Sequence, residues 1–332
     1  MSQHLFSILD QIKNKKILII GDMVADVYLE GKISRISREA PVLILEHAGE
    51  TVVPGGAANA VYNAAALGGE VYAAGIIGAD HAGEKLTKIL GSSGVRTEGL
   101  IVDQTRPTVT KTRVMAGGQA TVRQQVVRID RESKQELIST TEQMLLQSIN
   151  NVINSMDAVV ISDYGGVTVS PAIREGIISA CRDRGIPSMV DSRYNVMAYN
   201  GIRLIKQNES EAAAATGIEI TDQSSLRQAS QRILNQLAAE AVLVTQGPDG
   251  MTLVERSGDI SHIPVTNKSE VYDVTGAGDT VVVAMMLAVA AGACYADAAR
   301  IANFAAGIVV RKPGTATLTL AELRTAIGEY HQ

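Results

Sequence analysis

The sequence predicts an α/β fold, a three-layer α/β/α arrangement with a mostly parallel central sheet and a small β-sheet lid. Three observations predict it. From about residue 140 onward, short apolar runs alternate with segments long enough for helices, the pattern of strands joined by crossover helices. Hydrophobic residues make up 46% of the 332-residue chain but aromatics only 3%, and Trp is absent, so the core is aliphatic. Such a core suits helices packed on a buried parallel sheet. Two β-rich stretches, at about 28–50 and 107–131, interrupt the alternation and are expected to pair in space as the lid. No internal repeat, low-complexity tract or long linker divides the chain, so residues 1–332 read as one domain.

The elements follow in order. Ser2 to Asn14 is an amphipathic helix with Leu5, Ile8, Leu9 and Ile12 on one face. Lys16 to Gly21 is a buried strand ending at a glycine turn, with Asp22 and Asp26 just beyond it. Val42 to Glu46 is a strand, Gly55 and Gly56 open an Ala-rich helix to Leu67, Val71 to Gly75 is a strand and Gly83 to Ser93 a helix. Thr108 to Met115 and Thr121 to Ile129 form a hairpin around Gly117-Gly118. Helices are predicted at Thr140–Asn154, Pro171–Arg184 and Ser224–Ala239, with another after Asn208. Strands fall at Ala158–Ser162, Pro187–Asp191, Arg203–Ile205 and Val242–Thr245. Met251 to Val254 begins a second hairpin, and three helices close the chain: Ala277–Ala291, Ala296–Val310 and Leu320–Tyr330.

Bulk properties exclude several classes. A net charge of −5 argues against a nucleic-acid partner held by bulk electrostatics. The two cysteines, Cys181 and Cys294, form no metal-like cluster and fit a reducing compartment. No basic-then-apolar leader is seen, and Val281 to Cys294 falls short of the ~18 apolar residues a membrane span needs. A cytoplasmic protein without membrane partners is expected.

The chemistry is concentrated in Asp273-Val-Thr-Gly-Ala-Gly-Asp279, which leads into a long apolar helix. Gly276 and Gly278 let backbone amides turn toward a ligand. The helix start adds free N–H groups and the positive dipole end, so Gly276, Ala277 and Gly278 form a candidate anion hole. Asp279 sits in the first turn beside it, where a carboxylate can take a proton from a hydroxyl while the amides stabilise a transferring phosphoryl group. A helix-capping Asp in a glycine turn is the plainer alternative. Asn208-Glu209-Ser210-Glu211 puts Asn and Glu on one helical face. Asp22 and Asp26 follow the first strand, and ligands of open α/β sheets bind beyond the carboxyl ends of strands. Residues 106–131 carry Arg106, Lys111, Arg113, Arg123, Arg128 and Arg131 against Asp130 alone, a basic flap that would suit a phosphorylated substrate or serve only as a solvated edge.

Asp-x-Thr-Gly-Ala-Gly-Asp resembles the C-terminal signature of the ribokinase (PfkB) family of sugar kinases, and Pro54-Gly-Gly-Ala-Ala-Asn59 resembles its early glycine motif. The resemblance extends over nearly the whole chain and implies a ribokinase-like fold and ATP-dependent phosphorylation of a sugar hydroxyl. It casts Asp279 as catalytic base and Asp22, Asp26, Gly55, Gly56 and Asn59 as sugar contacts. Asn208, Glu209, Ser210 and Glu211 match the Asn-x-x-Glu element that organises Mg²⁺ and the ATP phosphates. Thr245, Gly247 and Gly250, with Asn303 on a later helix, stand where relatives meet the nucleotide. Asp273 and Thr275, with the loop Lys312–Thr317, resemble a monovalent-cation site, K⁺ being the candidate.

The finer wording is similar to the D-glycero-D-manno-heptose-7-phosphate kinases: Ser34-Arg-Ile-Ser-Arg-Glu-Ala-Pro-Val42, Pro107-Thr-Val-Thr-Lys-Thr-Arg-Val114, Ser162-Asp-Tyr164 and Glu270-Val-Tyr-Asp-Val-Thr275. That subgroup phosphorylates the C1 hydroxyl of the 7-phosphate sugar on the route to ADP-heptose, and Lys111 and Arg113 become candidate partners of the sugar phosphate. Two segments depart from it. Asp191-Ser-Arg193 replaces the usual Asp-Pro-Lys, and Lys206-Gln-Asn208 replaces Thr-Pro-Asn. No His-x-Gly-His nucleotidylyltransferase motif follows, so nucleotidyl transfer is expected to fall to another protein. Exposed lid edges lead to an expected homodimer. The alternatives are a kinase of the same fold for fructose 6-phosphate, ribose or a nucleoside, a non-catalytic sugar or nucleotide binder, and a Rossmann oxidoreductase. The last is disfavoured by Gly21-Asp-Met where Gly-x-Gly-x-x-Gly is needed.

Overall fold

The computed structural model describes residues 2–117, 124–266 and 271–330. Gly118 of the predicted hairpin turn, Thr121 to Arg123 of its second run, and Glu270 lie outside the described residues. Among the described residues the order is α1 (Ser2–Ile12), β1 (Lys16–Gly21), β2 (Met23–Ile36), β3 (Leu43–Gly56), α2 (Ala57–Ala66), β4 (Glu70–Gly78), α3 (His81–Ser92), β5 (Arg96–Asp103), β6 (Val109–Gly117) and β7 (Gln124–Arg131). There follow α4 (Ser139–Val152), β8 (Ala158–Asp163), α5 (Pro171–Arg184), β9 (Ser188–Ser192), β10 (Leu204–Asn208), α6 (Glu209–Thr216) and α7 (Gln223–Leu237). The chain continues through β11 (Ala241–Thr245), β12 (Met251–Glu255), β13 (Ile260–Ile263), α8 (Ala277–Ala290), α9 (Tyr295–Val309) and α10 (Leu320–Glu329).

The main sheet runs β13-β12-β11-β10-β9-β8-β1-β4-β5. From β5 to β11 every pairing is parallel, and β12 and β13 add an antiparallel edge. Strand β1 shows why the sheet is covered on both sides. Ile17 and Ile19 face one core with α1, α2, α8, α9 and α10, while Leu18 and Ile20 face a second core with α4, α5 and α7. All four are essentially inaccessible to water. A strand buried on both faces reads as an unbroken apolar run, which is how Ile17 to Ile20 reads in the sequence.

The lid is a second sheet, β3-β2-β6-β7. Its extent differs from expectation. Strand β2 begins at Met23, immediately after β1, and pairs with β3 all the way from Met23↔Gly56 to Ile36↔Leu43. The lid is therefore continuous with the core, its inner half buried and its outer half exposed. Polar and glycine residues interleaved in this stretch hid a strand 14 residues long. Strand β5 was also unread, because Arg96, Thr97, Glu98 and Gly99 disguise its first half.

Asp22 and the corner that opens α2 meet at the end of β1, where the Ala57 amide donates to the Asp22 carbonyl at 3.0 Å. Gly21 pairs with Ser162 of β8, and a Cβ at Gly21 would lie 2.0 Å from the Ser162 carbonyl oxygen. Gly21→Ala must part β1 from β8, so unfolding in urea should show a loss of about 1–3 kcal/mol.

Candidate active site

The site lies beyond the carboxyl ends of β1, β8, β9, β10 and β11, where the parallel strands deliver Asp22, Asp163, Asp191, Asn208 and Thr245. Helix α8 enters from the other side. Gly276 caps it with φ of 79°, and a Cβ there would stand 2.5 Å from the Asn59 side-chain nitrogen, so the turn requires glycine. The apolar run Val281 to Ala288 buries the rest of the helix and fixes its start in the cleft.

Asp279 occupies the first turn of α8 and is 4% exposed. Both carboxylate oxygens accept a hydrogen bond: Oδ2 from Asn59 Nδ2 at 2.7 Å and Oδ1 from Tyr164 Oη at 2.7 Å. Burial pushes its carboxyl up to about 6, against the opposing pull of the Asn59 and Tyr164 donors. The group thus ionises near neutrality, the range in which a general base works. The helix-cap alternative does not describe this geometry, since neither oxygen is spent on a backbone amide of α8.

Lys206 was not singled out from the sequence as a site residue. It ends up 6% exposed, with Nζ donating to Asp191 Oδ2 at 2.8 Å. A Cβ on Gly278 would come within 2.9 Å of the same Nζ, so the ammonium sits against the glycine loop. Burial alone would lower its pKa, but Asp191, together with Glu211 and Asp279, outweighs burial and raises it, and the group stays charged. The candidate anion hole therefore holds a full positive charge as well as amides. A lysine at the end of the apolar strand Leu204-Ile205 was the available signal, because buried lysines are rare without a partner or a task. Tyr164 was visible only as part of a short motif. Its role depends on a contact across 115 positions.

The aspartates after β1 take distinct places. Asp22 accepts backbone N–H groups from Tyr164 (3.1 Å), Gly166 (3.0 Å) and Thr168 (3.4 Å), so it shapes the 164–168 turn. Burial raises its carboxyl above the usual range despite those donors. Asp26 lies within β2, packed against Gly55, and faces Arg113 of β6, whose Nη1 stands 2.8 Å from its Oδ1. The ion pair is close, but its angle falls short of a hydrogen bond. Gly55 and Gly56 end β3 and hand the chain to α2, where Asn59 points at Asp279.

Asn208 and Glu211 form a capping box on α6. Asn208 Oδ1 accepts from the Glu211 amide, and Glu211 Oε2 accepts from the Asn208 amide, both at 2.8 Å. Ser210 donates to Asn208, and Glu209 accepts from Gln246. Thr245 ends β11 and donates weakly to the Gln207 carbonyl at 3.4 Å. Gly247 and Gly250 both have left-handed φ, and Gly250 is pressed against the Ile263 carbonyl. Asn303 is buried on α9, its amide donating to the Pro264 carbonyl at 2.7 Å, a packing contact. Asp273 accepts from the amides of Thr275 (2.9 Å) and Gly314 (3.0 Å) and joins the loop before α8 to the loop after α9. Burial opposes its ionisation, but the Thr275 and Gly314 donors prevail and keep its carboxyl below the usual range. Among the described residues, no group of three or more His, Cys, Asp or Glu is placed to hold a metal ion. No helix among the described residues is long and apolar enough to cross a membrane.

A buried carboxylate beside a cationic, glycine-lined helix start, beyond the carboxyl ends of a parallel sheet, is the equipment of a small-molecule kinase. The pfkB family carbohydrate kinase model matches residues 14–322, and the chain belongs to that family of ATP-dependent sugar kinases. Among similar proteins, the "Bifunctional protein HldE" of Desulfatibacillum aliphaticivorans is 42% identical over 313 residues, 94% of this chain and 63% of the relative. That of Geobacter sulfurreducens is 39% identical over 315 residues, 95% of this chain and 63% of the relative. The chain thus spans just under two thirds of the length of these relatives. Escherichia coli phosphofructokinase-2 in complex with substrates and products superposes with a TM-score of 0.76 at 21% identity, covering 96% of this chain and all of that one. Arabidopsis thaliana ribokinase complexed with ribose and ATP gives 0.71 at 18% identity, covering 96% and 98%. These two likenesses establish the ribokinase-like fold.

Three outcomes follow from the geometry. Asp279→Asn should fold and bind ATP but lose about 10²–10⁴ in kcat, checked by ADP release. In the unaltered enzyme, kcat/KM should rise with pH through about 6 as Asp279 ionises. Tyr164→Phe removes a donor that favours the carboxylate, so the same limb should move to higher pH.

Proposed function

We propose that the chain transfers the γ-phosphoryl group of ATP to the C1 hydroxyl of D-glycero-D-manno-heptose 7-phosphate, giving the 1,7-bisphosphate on the route to ADP-heptose. The observation that carries the reading is Asp279, buried and held from two sides by Asn59 and Tyr164, with Lys111 of the lid standing over the Tyr164 ring. The heptose rests on the segments that resemble that subgroup, with support from about 40% identity to HldE proteins.

In this reading the γ-phosphate lies against the amides of Gly276, Ala277 and Gly278 and the Lys206 ammonium. Asn208 and Glu211 would help hold the Mg²⁺ that accompanies ATP, and that ion would offset phosphate charge. Asp22, Asp26, Gly55, Gly56 and Asn59 line the sugar side. The sugar hydroxyl displaces or joins Tyr164 Oη at Asp279, its oxygen attacks the γ-phosphorus, the bond to the β-phosphate oxygen breaks, and Asp279 takes the proton. Asp273 and Thr275, with the 312–317 loop, are the proposed site of a monovalent cation. Thr315 Oγ1, buried and without a hydrogen-bond partner, marks the same loop. Asn303 and the Thr245–Gly250 turn border the nucleotide.

The outer lid supports a homodimer. Ile36, Val42 and Ile129 are each more than half exposed, and Val126 and Val127 nearly so, on strands β2 and β7 and the turn between β2 and β3. Apolar side chains on an exposed sheet seek a cover, and a second lid supplies one.

The decisive measurement is ADP release with D-glycero-D-manno-heptose 7-phosphate beside fructose 6-phosphate, ribose and adenosine. The heptose phosphate should give the highest kcat/KM, and equal or better use of another sugar removes the heptose assignment. Ile36→Asp combined with Ile129→Asp should turn a dimer into a monomer in sedimentation analysis.

A further inference from the structure

Three cations of the lid region approach the sugar side of the cleft, and their surroundings differ. Arg113 is already neutralised: its Nη1 pairs with Asp26 at 2.8 Å, and its guanidinium lies 5.4 Å from the Tyr28 ring centre. Lys111, two residues earlier on the same face of β6, makes no ion pair within 4 Å among the described residues. Its Nζ stands 5.5 Å from the Tyr164 ring centre. The carboxylate paired opposite it in register, Asp130, is held by Arg128 instead.

Arg106 is the third. Its side chain is 7% exposed and anchored by Asp103 at 3.0 Å and by the carbonyls of Gln135 (3.2 Å) and Glu136 (3.0 Å). Its remaining nitrogen, Nη1, is buried and has no acceptor. A buried guanidinium left one bond short is uncommon, and an anion is the natural acceptor.

Lys111 and Arg106 line one cleft of about 90 Å³, together with Asp22, Tyr164, the Gly165-Gly166 turn and Thr168. That volume holds a few waters, which an entering phosphoryl group would displace. Two carboxylates also border it. Asp22 is occupied by three amides, and Glu132 is half exposed with Lys134 at 3.9 Å. Tyr164 joins this cleft to the base: Lys111 stands over its ring, and its hydroxyl touches Asp279. A sugar with its acceptor hydroxyl at Asp279 and a phosphate at its far end would lie along that tyrosine.

We infer that Lys111 and Arg106 receive the phosphate already present on the sugar substrate, and that Arg113 instead holds the lid to β2 through Asp26. Lys111 meets the phosphate at the cleft surface, and Arg106 supplies an N–H beneath it. The inference rests on the sugar-phosphate reading above and selects among the basic lid residues.

The test compares each phosphosugar with its unphosphorylated counterpart at saturating ATP, for the unaltered chain and for Lys111→Gln, Arg106→Gln and Arg113→Gln. Losing one charge-assisted contact should raise KM for the phosphosugar about ten- to a hundredfold in the first two variants, with little change in kcat. The rise for the unphosphorylated sugar should be smaller by that factor. Arg113→Gln should impair both sugars alike. Thermal melting identifies any folding loss in Arg106→Gln, and Lys111→Gln then decides alone. An unchanged phosphosugar KM in Lys111→Gln, or a phosphate-selective loss confined to Arg113→Gln, overturns the assignment. If the unaltered chain shows no preference for phosphosugars, the sugar-phosphate reading itself falls.

Discussion

The carboxylate of Asp279 is the point on which the site converges. It is buried at the start of α8, yet it must ionise to act as the proposed base. Asn59 from α2 and Tyr164 from the turn after β8 make that possible, each donating one hydrogen bond to one oxygen. Each donor in turn depends on a different part of the fold. Asn59 is delivered by the corner where lid strand β3 becomes α2, and Tyr164 by a turn whose amides are gathered on Asp22. Moving any of the three elements would leave a buried charge without its donors, which is costly. The central sheet sets the positions, and the polar contacts above it follow.

Charge is distributed around that carboxylate with a clear division. Lys206 and the glycine loop of α8 form a positive pole, steadied by Asp191. The lid contributes cations on the opposite side, of which Arg113 is bound to Asp26 while Lys111 remains available. Substrate and nucleotide, both anionic in the proposed reaction, would thus meet positive charge from two directions with one buried carboxylate between them. Because β2 and β3 run without a break from the core into the lid, lid position and site geometry are mechanically joined.

Much of the fold was legible because it rests on local patterns. Pro171 to Arg184 was read with its observed bounds, since Ser170, Pro171 and Gly185 mark cap, first turn and stop. The glycine motifs likewise carried their own backbone requirements. What was missed involved either masking polar residues, as in β2 and β5, or contacts between distant segments. The Asn208–Glu211 element shows a limit of a different kind. Its spacing fits a capping box, which the structure shows, and the same pair carries the proposed Mg²⁺ role. Asn303, proposed to border the nucleotide, donates its amide to the Pro264 carbonyl, a contact 39 positions away that no local pattern shows.

The sequence by itself determined the alternation that makes a parallel sheet, the glycine turn that opens α8, and the presence of Asp279 in its first turn. Those depend on periodicity and on backbone freedom within a few residues. Only the tertiary structure decided which groups touch Asp279, that Lys206 joins the glycine loop, and that Arg113 pairs with Asp26 while Lys111 has no ion pair among the described residues. Those facts depend on residues up to 220 positions apart, and no local pattern carries the distance between them.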